Sequence, residues 1–355
     1  MVNIMTHIPH NYPLVVRDSG LATAISLMQR SLPYALMRFG IQLAYSVAAI
    51  VWLVVMIGGA AWTSLHIANV FGIVWFVIWA AGGGWIWATL LRYLLHLVEC
   101  GHVAVLTELV TRGSVGNGNE SMFEYGKRIV TERFGEVNAL FAVNMLVRGV
   151  VNTVNGAIEG LTSFIPIPGL DSVARIISAI TRAATRYIDK VIFSYNLARD
   201  DQNPWGGARD GLVYYAQNAK PILKQAVWIV ILDYILGAMV WVVMLAPAVV
   251  VTMLLPQSVR EFGAIVSIVI AVLFALAARG AFLKPLFLIM IMVRFHGLVE
   301  QQEINQKWVD WLDRLSDKFR ELGNKVAQTF NPTTAPAQPK PAFADSSDND
   351  WMRGR

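Results

Sequence analysis

The chain has 355 residues, of which 55% are hydrophobic and 15% charged, and its formal net charge is +5. With a mean hydropathy of +0.50 it is too apolar for a water-soluble domain of this length, so its main solvent is a bilayer. A single cysteine, Cys100, excludes an internal disulfide framework. Basic residues interleaved with apolar ones, without clusters of exposed aromatics, argue against a nucleic-acid partner.

Residues 1–38 carry no basic run followed by a short apolar stretch and a small-residue cleavage site. No cleaved signal peptide is expected, and the segment reads as cytoplasmic. Residues 39–91 form a two-span hairpin. Gly40–Ala60 and Val70–Leu91 each supply the roughly 20 apolar residues that a helix needs to cross. Trp75, Trp79, Trp85, Trp87 and Trp62 fit aromatic belts or helix packing. The small residues of Gly58–Ala61 and Ala80–Gly84 let helices approach closely, or act as a hinge.

Residues 92–135 read as a cytoplasmic helix and loop. The helix runs from Arg92 to Val110 and stops in the Gly- and Asn-rich stretch 113–119. Ser121-Met122-Phe123-Glu124 is a capping box that opens a short basic helix. His96, Glu99 and Cys100 share one helical face and carry metal-ligand atoms, but no fourth ligand is placed beside them. Neither a metal nor another cofactor is expected. No phosphate loop, dinucleotide fingerprint or nucleophile elbow is present, and an enzyme is the least favoured class.

Residues 136–198 read as an amphipathic helical hairpin. On its first arm Asn144, Arg148, Asn152, Asn155 and Glu159 recur every three or four residues, a narrow polar stripe on an apolar helix. Pro166–Gly169 breaks that arm, and Asp171, Arg175, Arg182, Arg186 and Asp189 stripe the second. Three placements are open: crossing the membrane with the stripes facing a polar path, lying at the interface, or packing in a helical domain.

Residues 199–224 read as a turn over Asp200–Gly207 and a helix from Asp210 to Lys224 that runs directly into the next span. Residues 225–298 form a second two-span hairpin, with Ala226–Leu255 and the shorter Ala264–Ala278, where Arg279 can snorkel to the headgroups. Asp233 lies roughly 13 Å beyond Lys224 at about 1.5 Å per residue. An intramembrane carboxylate is a functional candidate by default. Its available partners are Arg279 and Lys284, and either an internal ion pair or a proton or cation site would account for it. At Pro285 the helix bends or turns along the interface.

Residues 299–330 read as one cytoplasmic amphipathic helix, with Trp308 and Trp311 on its apolar face for the rest of the chain, a membrane surface or a partner. Residues 331–355 are rich in Pro, Thr, Ala, Ser and Asp and read as a disordered tail. The short connections Ala61–Asn69 and Pro256–Gly263 hold one basic residue, Arg260, while the other connections are rich in Lys and Arg. Both termini are therefore expected on the cytoplasmic side of a plasma or bacterial inner membrane. The fold class is all-α: a polytopic helical membrane protein with four spans, a striped hairpin and a cytoplasmic C-terminal helix.

Four stretches carry a family resemblance. They are Arg186-Tyr187-Ile188-Asp189-Lys190, Tyr214–Ala219 with Val230-Ile231-Leu232-Asp233, and Val299–Glu303 after the last apolar run. In this order, over about residues 171–303, they resemble the C-terminal half of the choline transporter-like membrane proteins. The resemblance implies a polytopic solute-transport protein; the family's further spans and large extracellular loop have no counterpart here. Two functions are expected to compete. One is transport of a small polar or charged solute along a path lined by the hairpin and Asp233. The other is a non-conducting scaffold recruiting a cytoplasmic protein through residues 299–355, with homo-oligomers permitted by the Gly- and Ala-rich helices.

Overall fold

In a bilayer each backbone N–H and C=O must be satisfied within its own segment, so long uncharged runs of Leu, Ala, Val and Ile become helices. The computed structural model describes residues 12–116, 120–134, 137–163, 187–199, 203–300 and 302–330, and among these the regular structure is entirely helical. The helices are α1 (Leu21–Arg30), α2 (Leu32–His66), α3 (Asn69–Ile78), α4 (Gly84–Thr111), α5 (Met122–Phe134) and α6 (Val137–Ser163). Helix α7 covers residues 187–198. Then follow α8 (Pro204–Gln217), α9 (Ala219–Leu254), α10 (Gln257–Ala278), α11 (Lys284–Val299), α12 (Gln306–Leu315) and α13 (Asp317–Phe330).

Four stretches are long and apolar enough to cross a membrane: Leu32–His66, Tyr93–Thr111, Ala219–Leu254 and Gly263–Val299. Burial divides them. Large apolar side chains are exposed on α2 at Leu32 and Leu36 and in a continuous run from Val47, throughout α3, along α9 from Val227 and along α10 to Leu276, and the continuous runs are the surface that lipid would cover. The Tyr93–Thr111 window is instead 61% buried, and most of α11 is buried, including Phe287, Ile289 and Phe295. The structure thus has two apolar hairpins, α2–α3 and α9–α10, whose returning helices run on as struts into a globular helical head.

The α2–α3 hairpin packs bulk against absence of bulk. The Trp75 ring lies over Gly59, and Trp52 lies over Gly83. A Cβ on Gly72 would collide with Ser64 Oγ and stand 2.6 Å from the Ala60 carbonyl oxygen. This is the close-approach use of small residues expected from the sequence. Each returning helix contains a π-helical segment, Trp79–Gly83 between α3 and α4 and Arg279–Leu283 between α10 and α11. The second explains how the chain passes Pro285 without turning along the interface: the wider turn ahead of it absorbs the missing N–H.

The head is built around α11 and the lower half of α4, with Tyr195, Tyr214, Tyr215, Phe287, Phe295 and Phe319 fully buried. Helix α6 packs on α8 and α13, burying Val147, Val150, Val151 and Val154. The described residues of the hairpin's first arm are thus held against α8 and α13.

Three boundaries differ from the sequence reading. Helix α8 starts at Pro204, six residues before the expected start at Asp210, because Asn203 caps it by accepting from the Trp205 and Gly206 N–H groups at 3.1 and 3.2 Å. Helices α8 and α9 are separate, broken at Asn218, whose Nδ2 is drawn to the Gln302 Oε1 at 2.7 Å. The C-terminal helix is two helices, broken at Ser316, where the backbone is extended. Their apolar residues Val309, Leu312, Phe319 and Leu322 are buried against the head, with Trp308 and Trp311 partly buried beside them. That face packs on the chain itself.

Candidate functional site

At the inner end of α2, Arg38 and Gln42 stand one helical turn apart and so share a face. Arg38 is buried and donates to Glu99 Oε1 at 3.2 Å. Lys190 on α7 lies 3.6 Å from the other Glu99 oxygen and 3.5 Å from Asp189 Oδ1. Asp189 in turn accepts from Arg148 Nε on α6 at 2.7 Å. The Lys284 ammonium also acts on Glu99 through space. Burial works against the charge of Lys190, yet Glu99 and Asp189 outweigh it and hold the ammonium above its usual range. The same balance, burial against Asp189, leaves the Arg148 guanidinium raised.

Above this network Gln42 packs its amide against Gly280, where only hydrogen leaves room, one residue from Arg279. Arg279 donates to Asp233 Oδ2 at 2.5 Å, with 35% of the Arg279 side chain and 19% of Asp233 exposed. The Asp233–Arg279 pair and the Arg38–Glu99–Lys190–Asp189–Arg148 network thus lie on either side of Gln42, an arrangement termed the polar seam. It starts about 9 Å along α9 from Val227 and ends at Arg148, whose side chain is 55% exposed on the head.

The expected site residues divide accordingly. Asp233 and Arg279 are paired, and Lys284 is exposed at the start of α11. Asn144 is buried and meets His96 Nε2 at 3.2 Å. Asn155 is buried and accepts from the Tyr215 hydroxyl at 2.6 Å, while Asn152 is exposed. Asp171, Arg175, Arg182 and Arg186, with the side chain of Glu159, lie outside the described residues. His96 and Cys100 contact each other at 3.6 Å, but Glu99 turns to Arg38 and Lys190. Among the described residues no group of three metal-ligating side chains converges.

Sequence reasoning missed Arg38, Gln42 and Lys190 as members of the seam. Arg38 is the last charge before the first apolar run, which is the signal that could have found it. It also missed a buried hydrogen-bond chain joining Tyr12 to His296 Nδ1 at 2.9 Å, His296 Nε2 to Ser194 at 2.9 Å, and Ser194 to Thr107 at 2.7 Å. This chain ties the N-terminal segment, α11, α7 and α4 together. Tyr12 and Thr107 also face a cavity of about 280 Å³ bordered by Glu108, Tyr125 and Glu132.

Two of the segments named in the family resemblance, Tyr214–Ala219 and Val299–Glu303, are spatial neighbours. The Tyr214 hydroxyl donates to the Gln302 carbonyl at 3.0 Å and Gln217 Nε2 to the Glu303 carbonyl at 3.1 Å. Asn218 and Gln302 exchange amide hydrogen bonds at 2.7 and 3.1 Å. No family model, curated protein or solved structure matches the chain.

Proposed function

We propose that the protein is a transport protein, channel-like or carrier-like, that moves a small polar or charged solute, and that the polar seam forms the inner part of its path. The observation that carries this reading is the Asp233–Arg279 pair at membrane level. It is only partly covered, and Gln42 beside Gly280, with Arg38 one turn further along α2, leads from it towards the charged network that reaches the surface at Arg148. Ionisable groups at such depth are costly and are kept where they contact a substrate or a water-filled space. The head lies on the cytoplasmic side, because Lys220, Lys224, Lys284 and Arg294 are exposed on or beside it and basic residues favour that face.

The test is reconstitution of the full chain in liposomes, reading efflux of potassium chloride and of choline as an organic cation. Flux above protein-free vesicles that is lost in Asp233→Asn, with the variant still inserted, supports the reading. Absence of flux for these probes, or equal flux in the variant, overturns it.

A second reading is a non-conducting membrane scaffold. It is favoured by the outer half of the hairpins, where the described side chains that face outwards are mainly Val, Ile, Leu, Phe and Met. On this reading the seam is a structural joint, and partners bind polar surfaces of the head.

A further inference from the structure

The cavity between α4 and α5 is walled by Ala104, Thr107, Glu108 and Thr111 on one helix and by Tyr125, Ile129 and Glu132, at spacings of four and three, on the other. Leu197 and Ala198 of α7 and the ring of Tyr12 complete the wall, and none of the seam residues belongs to it. The two helices touch beside it at Gly101 and Gly126, where a Cβ on Gly126 would stand 2.6 Å from the Gly101 carbonyl oxygen. Its volume of about 280 Å³ is close to the lower end of small-ligand pockets, about 300 Å³.

Apart from Arg112 and Tyr12, the polar side chains of this wall have no proton to give a guest. Thr111 is buried, and its hydroxyl donates to the Thr107 carbonyl at 2.8 Å. Thr107 is buried as well, and its one proton serves the Val103 carbonyl or Ser194, each at 2.7 Å. The Tyr125 hydroxyl donates to Glu108. These hydroxyl oxygens keep lone pairs, and the two carboxylates only accept. Arg112 lays its Nη1 across both Glu108 oxygens at 3.1 and 2.9 Å, with 55% of its side chain exposed.

Glu132 is the less well matched carboxylate. In the adjoining groove Arg128 grips Glu120 with two N–H groups, at 3.1 and 2.5 Å, and gives Glu132 one, at 3.1 Å. Among the described residues the other Glu132 oxygen accepts no hydrogen bond. Three carboxylates thus share two guanidinium groups here. A guest that completes this wall brings hydrogen-bond donors and one positive charge, with a short carbon chain for Ala104, Ile129 and Leu197.

We infer that the cavity binds a small primary aliphatic amine, its ammonium held by Glu132 and by the Glu108 and Thr111 oxygens and its chain laid on the apolar wall. A primary ammonium carries three donors and no acceptor, and its bonds to carboxylates are charge-assisted. A quaternary ammonium brings the same charge but no N–H, and leaves these oxygens without a donor. The inference does not rest on transport, because binding is read on the protein without a gradient.

The test uses the full chain purified in detergent, near neutral pH and at constant ionic strength, titrated calorimetrically with butylamine, butyltrimethylammonium or butanol. Butylamine should bind saturably and butanol should not. Butyltrimethylammonium should bind at least about ten-fold more weakly than butylamine, through loss of the charge-assisted hydrogen bonds. Ala198→Phe fills the cavity from the α7 side, leaves both carboxylates in place and should abolish binding. Glu132→Gln should weaken butylamine about ten-fold; its side chain is 58% exposed, which keeps the test valid if Ala198→Phe unfolds. Asp310→Asn, on an exposed site of α12, should leave the affinity unchanged. Absence of butylamine binding, equal affinity for butyltrimethylammonium, or an unchanged affinity in Glu132→Gln would overturn the inference.

Discussion

Removing one member of the Asp233–Arg279 pair separates its structural worth from its functional one. The hydrogen bond is short, 2.5 Å, and charge-assisted, but a third of the Arg279 side chain remains exposed. Interhelical hydrogen bonds in membranes average about 0.6 kcal/mol and reach about 1.7. Breaking a fully buried ion pair costs about 3–5 kcal/mol. A pair with this exposure belongs near the lower range, because Arg279 can snorkel towards headgroups when its partner is lost. Asp233→Asn should therefore cost about 1–2 kcal/mol. Arg279→Gln should cost more, because it leaves a carboxylate with no cation at membrane depth. The assay is a double-mutant cycle of Asp233→Asn, Arg279→Gln and the pair, read by unfolding in mixed micelles. A coupling energy of about 1–2 kcal/mol is expected. Strictly additive single effects would refute the pairing as a structural element.

Other perturbations follow from the same contacts. Glu99→Gln takes the carboxylate from Arg38 and Lys190 together and should lower stability by about 3 kcal/mol, seen as a depressed unfolding midpoint; an unchanged midpoint would contradict the network. Lys190 titrates above its usual value in the folded chain, so its contribution is complete below the pH where an unfolded lysine ionises and is lost as pH rises through the folded value. The midpoint gap between wild type and Lys190→Gln should accordingly hold steady up to about pH 10 and narrow above it; a gap that widens with pH would reverse the sign. Ser121→Ala should cost about 1 kcal/mol through the lost N-cap of α5, and a neutral effect by thermal unfolding would remove that role. Gly72→Leu should prevent α3 from closing on α2, so that a disulfide engineered between the two helices forms in the wild-type background and fails in the variant.

Local features were readable from the residues. Ser121 and Glu124 do form the reciprocal cap, with Glu124 N–H donating to Ser121 Oγ at 3.2 Å and Ser121 N–H to Glu124 Oε2 at 3.0 Å. Asp233 was given Arg279 or Lys284 as partner, since both lie near the inner end of the antiparallel neighbouring helix, and the contact is made by Arg279. The glycines at 59 and 83 fall in the stretches read as close contacts or a hinge, whereas Gly72, which fits against Ser64 and Ala60, was not singled out.

What stayed hidden depends on partners far along the chain. A narrow polar stripe on α6 looks the same whether it faces a membrane path or the edge of a packed head. Asn144 and Asn155 resolve that only through His96 and Tyr215, 48 and 60 residues away. Glu99 reads as a possible metal ligand beside His96 until Arg38 arrives from 61 residues upstream. The break at Asn218 has no local cause in sequence; its side chain is held by Gln302, 84 residues further on.

The central claim is that a polar seam admits water from the head to membrane level. It is tested most directly by thiol accessibility in a Cys100→Ala background, with single substitutions Gln42→Cys on the seam and Val51→Cys and Met239→Cys on the exposed apolar surface. A membrane-impermeant thiosulfonate is added to the cytoplasmic side of vesicles. The account predicts rapid modification at position 42 and none at 51 or 239. A position 42 as unreactive as the other two would contradict it.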